Sequence, residues 1–531
     1  MRPRTWQPPV EPSRAEQSIL KAIRRAKLFV FLRLHRHELF DESFQDELAG
    51  MYDDATKGHP PVPPAQLALA IILQAYAGVS DDEVIEATVM DRRWQLVLDC
   101  LDAGRPPFAK GTLVGFRQRL IEANLDRRLI ERTIEIAQAS GAFGPRALRA
   151  ALDSSPLWGA GRVEDTWNLM GHALRKAVGM IARRQGWGPA ESAQEAIGRL
   201  AGQAGAPQLA ASSLKSALDA DWDDPAARAQ ALATVLDCLN AVETFITGQP
   251  AGPGTEQAAA CVAVAAQVRD QDLTIAADGS ASLSRGVAKD RRISVEDADM
   301  RHGRKSRSTL FNGYKRHVLT DLDTGLIAAV GLTPANMPEA AVTDAITADL
   351  AAQRATLAEL HIDRAYLSSA LVRERDPGLE IFCKAWRVRA PGDRFAKTAF
   401  TLDFITGQLT CPNQVSMPFQ PGRTIRFPAQ TCATCPLREH CTTSSRGRSV
   451  SIHPDEHLLA ELRERQLTAA GRAALRQRVA VEHTLAHIGR WQDRRARYRG
   501  TRKNLFDLRR AAVVHNLHVI ARQQDGYRLA S

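Results

Sequence analysis

The run TLFNGYKRHVLTDLDTGLIAAVGLTP, residues 309–334, restricts the fold more than any other stretch. It alternates in polarity and is rich in β-branched and aromatic residues, and its LDTG centre is a hairpin turn. Two antiparallel strands are predicted here. Upstream, LRAALDSSPLW predicts a short strand ending in Asp153. Downstream, LAELHIDRAYLSSALV predicts a strand ending near Asp363, then a helix. Residues 165–270, between the first strand and the hairpin, are alanine-rich and helix-like, with Gly and Pro breaks near 203–207 and 248–254. Strand, helical insertion, hairpin, strand, helix is the order of an α/β chain with a mixed sheet.

Residues 1–145 read as helical. PPAQLALAIILQAYAG has helical apolar spacing and a stop at Gly78. Ser80 and Glu83 then form a capping-box pattern for the next helix. The pair resembles a helix-turn-helix, and equally any helical hairpin. A third helix is expected through TLVGFRQRLIEANLDRRLIERTIEIAQASG, with Arg117 and Arg119 facing phosphate or water. A length of 531 residues exceeds one core. The net charge of +10, mostly arginine, favours an anionic partner, most simply nucleic acid. The longest apolar stretches are too short to span a bilayer, and the N-terminal residues have no apolar signal core. A cytoplasmic, nucleoid-associated protein is expected. No Gly-rich phosphate loop of the Walker type is present, which argues against ATP use.

Three carboxylates carry the chemistry. Glu482 sits centrally in a helix-like segment that runs into Arg490, Arg494, Arg495, Arg497, Arg499, Arg502, Lys503, Arg509 and Arg510, offset only by Asp493 and Asp507. An acid beside such a surface suits a metal-binding carboxylate near phosphate. A solvated basic helix with a surface glutamate has the same sequence. Asp153 and Asp363 at strand ends can converge, and with Glu482 they would offer hard oxygen ligands to two Mg²⁺ or Mn²⁺. Each aspartate also suits a cap or turn.

The eight cysteines fall into two groups. Cys100, Cys238, Cys261 and Cys383 are scattered, as buried thiols are. Cys411, Cys432, Cys435 and Cys441 are spaced C-x20-C-x2-C-x5-C, which suits structural Zn²⁺, with His440 and His453 as substitute ligands. Free thiols and redox chemistry remain alternatives.

Four segments together carry a resemblance: ALDSSPLWGAGRVEDTWNLMG, the stretch from DRRISVEDADMRHGRKS through FNGYKRHVLTDLDTGLIAAVGLTPANMPE, LHIDRAYLSS, and VEHTLAHIGRWQ with RARYRGTRKNLFDLRRAAVVHNLHVI. The chain resembles the DDE transposases of bacterial insertion sequences, which have an RNase H-like catalytic domain. The resemblance implies Asp153, Asp363 and Glu482 as the three acids, with Asp278 and Asp297 as competitors. It implies double-stranded DNA partners (terminal inverted repeats and target), recognition of the ends by the N-terminal helices, phosphate binding by the basic run, and a dimer in the synaptic complex. Relatives carry a tyrosine–arginine–glutamate–lysine signature at the third acid. Arg478 matches it, whereas Leu475 and Gly489 stand at the tyrosine and lysine positions, with Arg490 next in line for phosphate.

The loop with Arg301, His302, Arg304, Lys305 and Arg307 reads as a DNA contact, and Lys315 and Arg316 as substrate-facing. Asn336 reads as a residue that orients a neighbouring loop. The expected divisions are 1–145 helical and DNA-binding, 146–164 and 271–394 RNase H-like, 165–270 helical insertion, 395–455 β-rich cysteine insertion, and 456–531 catalytic helices with the basic segment. A metal-dependent nuclease with the same fold and an inactive, transposase-derived DNA-binding regulator share these features.

Overall fold

The computed structural model describes residues 1–54, 59–139, 147–186, 191–306, 308–386, 388, 390 and 392–530, with side chains through 523. Arg307 lies outside the described residues.

The helices α1 (Arg14–Ala22), α2 (Lys27–Leu39), α3 (Glu42–Ala49), α4 (Pro64–Ala77), α5 (Asp81–Met90), α6 (Arg92–Leu98), α7 (Lys110–Glu122) and α8 (Asp126–Ala139) precede the first strand. α4 is apolar nearly all round and buried from Pro64 to Ala75, as such a helix must be. Gly78 ends it in the left-handed region, at φ 71°, and Ser80 and Glu83 form the reciprocal capping box of α5. The first helix of the helix-turn-helix-like pair is therefore a core helix. The single helix expected over 112–141 is two, because Asn124 turns left-handed (φ 55°) between α7 and α8.

The strand β1 (Leu148–Trp158) begins the sheet. It continues five residues beyond Asp153, contrary to the expected end there, because β5 keeps pairing with it as far as Trp158. Among the described residues α9 (Thr166–Gln185), α10 (Ala193–Gln203), α11 (Leu214–Ala217), α12 (Pro225–Thr247) and α13 (Pro253–Asp272) follow. They close around their own apolar cluster, which includes Leu174, Ile181, Val235 and Val262. A small hairpin, β2 (Leu273–Ile275) and β3 (Ala281–Leu283), leads to β4 (Arg301–Arg304), β5 (Leu310–Asp321) and β6 (Ile327–Pro334). β5 and β6 are the expected hairpin, closed at Gly325. After α14 (Thr343–Ala352) come β7 (Leu357–Ile362), a 3-10 turn at Arg364–Tyr366, α15 (Ala370–Arg373) and β8 (Glu380–Phe382).

The sheet runs β5–β1–β7–β8, with β4 and β6 along the outer edge of β5. β1 is antiparallel to β5 and parallel to β7, and β7 is parallel to β8. An antiparallel half joined to parallel strands in this order makes an RNase H-like mixed sheet. Gly313 (φ 149°) lets β5 approach β1, since a Cβ there would stand 2.2 Å from the Leu157 carbonyl oxygen.

A cysteine-containing module follows: β9 (Thr401–Asp403), β10 (Gln408–Thr410), β11 (Ser416–Pro418), β12 (Thr424–Arg426), α16 (Ala429–Ala433) and β13 (Ser449–Ser451). The chain ends in α17 (Glu456–Arg465), α18 (Ala469–Arg476), α19 (Val479–Trp491) and α20 (Thr501–Ala530). One sheet face, with Leu152, Leu319 and Leu360, packs on α14 and α17 through Ile346 and Leu458. The other, with Val318 and Ile327, packs on α19 and α20 through Ile488 and Val513, in one continuous cluster with α2, α4 and α8. Among the described residues no helix is long and apolar enough to cross a membrane.

Candidate active site

Backbone register builds the site. Leu152 of β1 pairs with Ile362 of β7. Asp153 and Asp363 are thus the next residues on neighbouring strands, which in a sheet lie about 4.8 Å apart. β7 ends at this point and its chain turns away. Asp363 caps that turn, accepting from the Arg364 amide at 2.7 Å. Asp153 likewise accepts from the Ser154 amide at 2.8 Å. The turn-forming role anticipated for Asp363 is thus real and engages one oxygen, whereas Asp153 sits within β1 and forms no turn. Glu482 comes from α19, in its first turn rather than at its centre. All three acids line one open cavity of about 830 Å³.

Arg478 joins two of them. Its guanidinium donates to Asp153 Oδ2 at 2.7 Å and to Glu482 Oε1 at 3.2 Å. Burial pushes the Asp153 carboxyl above its usual range; Arg478 and the Ser154 amide pull it down, and the charges of Asp363 and Glu482 push it up again. Asp153 therefore feels both other carboxylates, with Arg478 as a counter-ion between it and Glu482. Hard oxygen donors under mutual repulsion fit a divalent cation. Among the described residues, no three His, Cys, Asp or Glu side chains stand close enough to hold a metal as they are. At the acids, Arg478 bridges the first and third.

The cavity wall is cationic, with Arg304, Lys305, Lys315, Arg316 and Arg494. Lys315 pairs with Glu339 at 3.0 Å. Arg316 is buried, which pushes its guanidinium down to about 10, and it donates to Ser155 Oγ at 2.7 Å and to the Asp493 carbonyl at 2.9 Å. Arg301 instead pairs with Asp290 at 2.7 Å, and Asn336 donates to the same carboxylate at 3.0 Å, tying down the 289–290 loop.

The basic run divides in two. Arg490, Arg494, Arg495 and Lys503 are exposed. Arg497 donates to the Val79 carbonyl at 2.7 Å, Arg499 pairs with Glu296 at 2.6 Å, and Arg502 and Arg509 pair with buried Asp126. Arg510 is buried against Asp507 and Gln74. Arg497 and Arg502, expected on DNA, hold the C-terminal segment to the N-terminal helices here, through the Val79 carbonyl in the α4–α5 turn and buried Asp126 of α8.

Asp278 lies in the β2–β3 turn, capping Ser280 at 2.9 Å and away from the cavity. Asp297 is buried, accepting from the Tyr314 hydroxyl and from the Gly500 amide at 3.1 Å. Sequence reasoning did not single out Trp158, His317, Glu339 or Tyr366. Trp158 and Glu339 line the cavity. His317 and Tyr366 lie buried beside it. Their signal was position alone, inside quoted motifs and within a few residues of an acid or a wall residue.

Cys411, Cys432, Cys435 and Cys441 line a separate cavity of about 30 Å³ in the β9–β13 module, and none is in a disulfide. Burial pushes the Cys441 thiol up, Arg448 opposes this, and the other three cysteines add to the rise. Cys238 and Cys383 are buried thiols raised by burial, to about 11 and about 12.

Residues 274–378 and 410–521 each match a family model described as a Transposase DDE domain, and residues 22–119 match the Transposase domain (DUF772). No curated protein and no solved structure matches the chain. The sheet and these matches define a class of proteins that process DNA on an RNase H-like fold. Within it, the chain belongs to the DDE transposases of insertion elements. That family works with divalent metal ions such as Mg²⁺.

Proposed function

We propose that the protein binds the terminal inverted repeats of its element, hydrolyses DNA strands there and joins the free 3′ ends to target DNA. The observation that carries this reading is the Leu152–Ile362 register, which sets Asp153 beside Asp363 in a cavity shared with Glu482. These acids would hold two Mg²⁺ or Mn²⁺. When bound, the ions supply activation of a water or 3′-hydroxyl and stabilisation of the leaving oxygen. Arg304, Lys305, Lys315, Arg490, Arg494, Arg495 and Lys503 would hold backbone phosphates, and Arg478 would turn from the acids toward phosphate. Pairing of two ends implies a dimer during reaction. The catalytic unit in this reading is 146–164, 271–394 and 456–531, interrupted by the insertions at 165–270 and 395–455 and preceded by the helical unit at 1–145. The four cysteines of the second insertion would hold one structural Zn²⁺. Metal analysis of purified protein should then find one zinc per chain, lost in Cys435→Ser.

The test uses a labelled duplex carrying the DNA that flanks the gene, with Mg²⁺. Wild type should cleave and join it. Asp363→Asn should bind it equally but react at least about a thousandfold more slowly, since the metal site supplies several kcal/mol. Equal rates would reject Asp363 as a ligand. Cleavage without joining would mark a nuclease, and binding without cleavage in either protein a regulator.

A further inference from the structure

The turn that follows Asp363 is held down by a buried chain of hydrogen bonds. Tyr366, one 3-10 turn after Asp363, is 1% exposed, and His317 of β5 is fully buried. The Tyr366 hydroxyl and His317 Nδ1 are 2.8 Å apart, and His317 Nε2 and Thr333 Oγ1 are 3.1 Å apart. The Tyr366 backbone amide also donates to the Asp363 carbonyl at 3.1 Å, closing the turn that carries the acid. Ser154 pairs with His317 across β1 and β5, and His317 with Gly331 across β5 and β6. The chain Tyr366–His317–Thr333 thus ties the turn after β7 to β5 and β6.

Burial drives the His317 imidazole down to about 3, so it is neutral at any working pH. A neutral imidazole has one donor and one acceptor. Burial keeps the Tyr366 phenol protonated. One ring nitrogen therefore donates and the other accepts, and the Tyr366 and Thr333 hydroxyls can each take either role. Both ring nitrogens are satisfied, and with the ring neutral these bonds are insensitive to pH. β7 pairs with β1 only as far as Ile362. Beyond it, among the described residues, no sheet hydrogen bond sets the second acid against the first.

We propose that Tyr366, seated on His317, is the positioning residue that fixes Asp363 beside Asp153 and so sets the spacing of the metal-binding acids. This rests on the carboxylate reading above. Partners of this kind typically govern affinity for the metal by about 10–100-fold.

The experiment measures Mn²⁺ binding to the full chain by loss of the free-ion electron paramagnetic resonance signal, for wild type, Asp363→Asn, Tyr366→Phe and Thr333→Val. Tyr366→Phe should weaken Mn²⁺ binding about tenfold with DNA affinity unchanged. It should also slow cleavage more with Mg²⁺ than with Mn²⁺, because Mg²⁺ demands near-ideal octahedral geometry. A merely structural role would lower both rates alike. Should Tyr366→Phe fail to fold, Thr333→Val at the far end of the chain decides by the same criteria. Wild-type binding and an unchanged metal ratio in these variants, with binding lost in Asp363→Asn, would overturn the positioning role alone. Unchanged binding in Asp363→Asn as well would overturn the carboxylate reading with it.

Discussion

Asp153 is charged at a cost. Its carboxyl is raised by burial and by two neighbouring acids, so the folded chain holds its proton more tightly than the unfolded chain does. The cost of ionising it in the fold is absent below its unfolded value, grows as pH rises through the folded value, and is complete above it. At neutral pH, Asp153→Asn should therefore stabilise the metal-free protein, by about 0.5–2 kcal/mol, while abolishing cleavage. Thermal melts of the two proteins at pH 7 and pH 4 check this, with the gap closing at the lower pH. A less stable variant at pH 7 would mean that the bond to Arg478 outweighs the burial. The sequence makes part of this site legible. Arg478 and Glu482 are four residues apart, so their contact on one helix could be anticipated. The bond from Arg478 to Asp153 spans 325 residues, and only the packing of α19 against β1 creates it. His317 and Tyr366 read as ordinary strand and turn residues because they bond each other across 49 residues and Thr333 lies on another strand.

Among the elements, the basic run shows what a count of charges hides. The relevant distinction is between side chains facing the cavity and side chains facing buried carboxylates. Arg494 and Lys305 line the acid-bearing cavity and are exposed. Each, replaced by alanine, should lower DNA affinity and reduce the slope of log affinity against log salt by about 1, with stability within about 0.5 kcal/mol of wild type. Arg510 is equally basic and sits inside, bonded to Asp507 at 2.7 Å and to Gln74 at 2.8 Å. Arg510→Met would leave the Asp507 charge buried without its partner, at a cost of about 3–5 kcal/mol. Denaturant unfolding with parallel salt titrations of DNA binding separates the two groups. A stability loss for Arg494→Ala, or none for Arg510→Met, would refute the division. The strands and hairpin were legible because period-two patterning survives in any context. The end of β1 was not, because its last residues are held by one neighbour only, and the α7–α8 break was not, because a left-handed asparagine leaves no mark in apolar spacing.

At the scale of the whole molecule, the two helical blocks flanking β1 have opposite relations to the sheet. α2, α4 and α8 share one apolar cluster with α19, α20 and the face of β5 and β6. Asp126 and the Val79 carbonyl add polar ties to Arg502 and Arg497. The apolar packing is continuous across that core, so the N-terminal helices should unfold together with the sheet. α9–α13 have a cluster of their own, and the block leaves and rejoins the chain at one place, where the Thr166 hydroxyl donates to Asp272 at 2.8 Å. A unit with its own core and adjacent ends can be removed without opening its host. Replacing 167–271 with a short Gly/Ser linker should leave a soluble protein with a cooperative melt and the same Mn²⁺ affinity at the acids. Removing 1–139 should expose the apolar faces of α20 and the sheet, and yield a chain with no cooperative transition. Calorimetry on both deletions decides. A cooperative melt in the chain lacking 1–139 would make the N-terminal helices a separable domain.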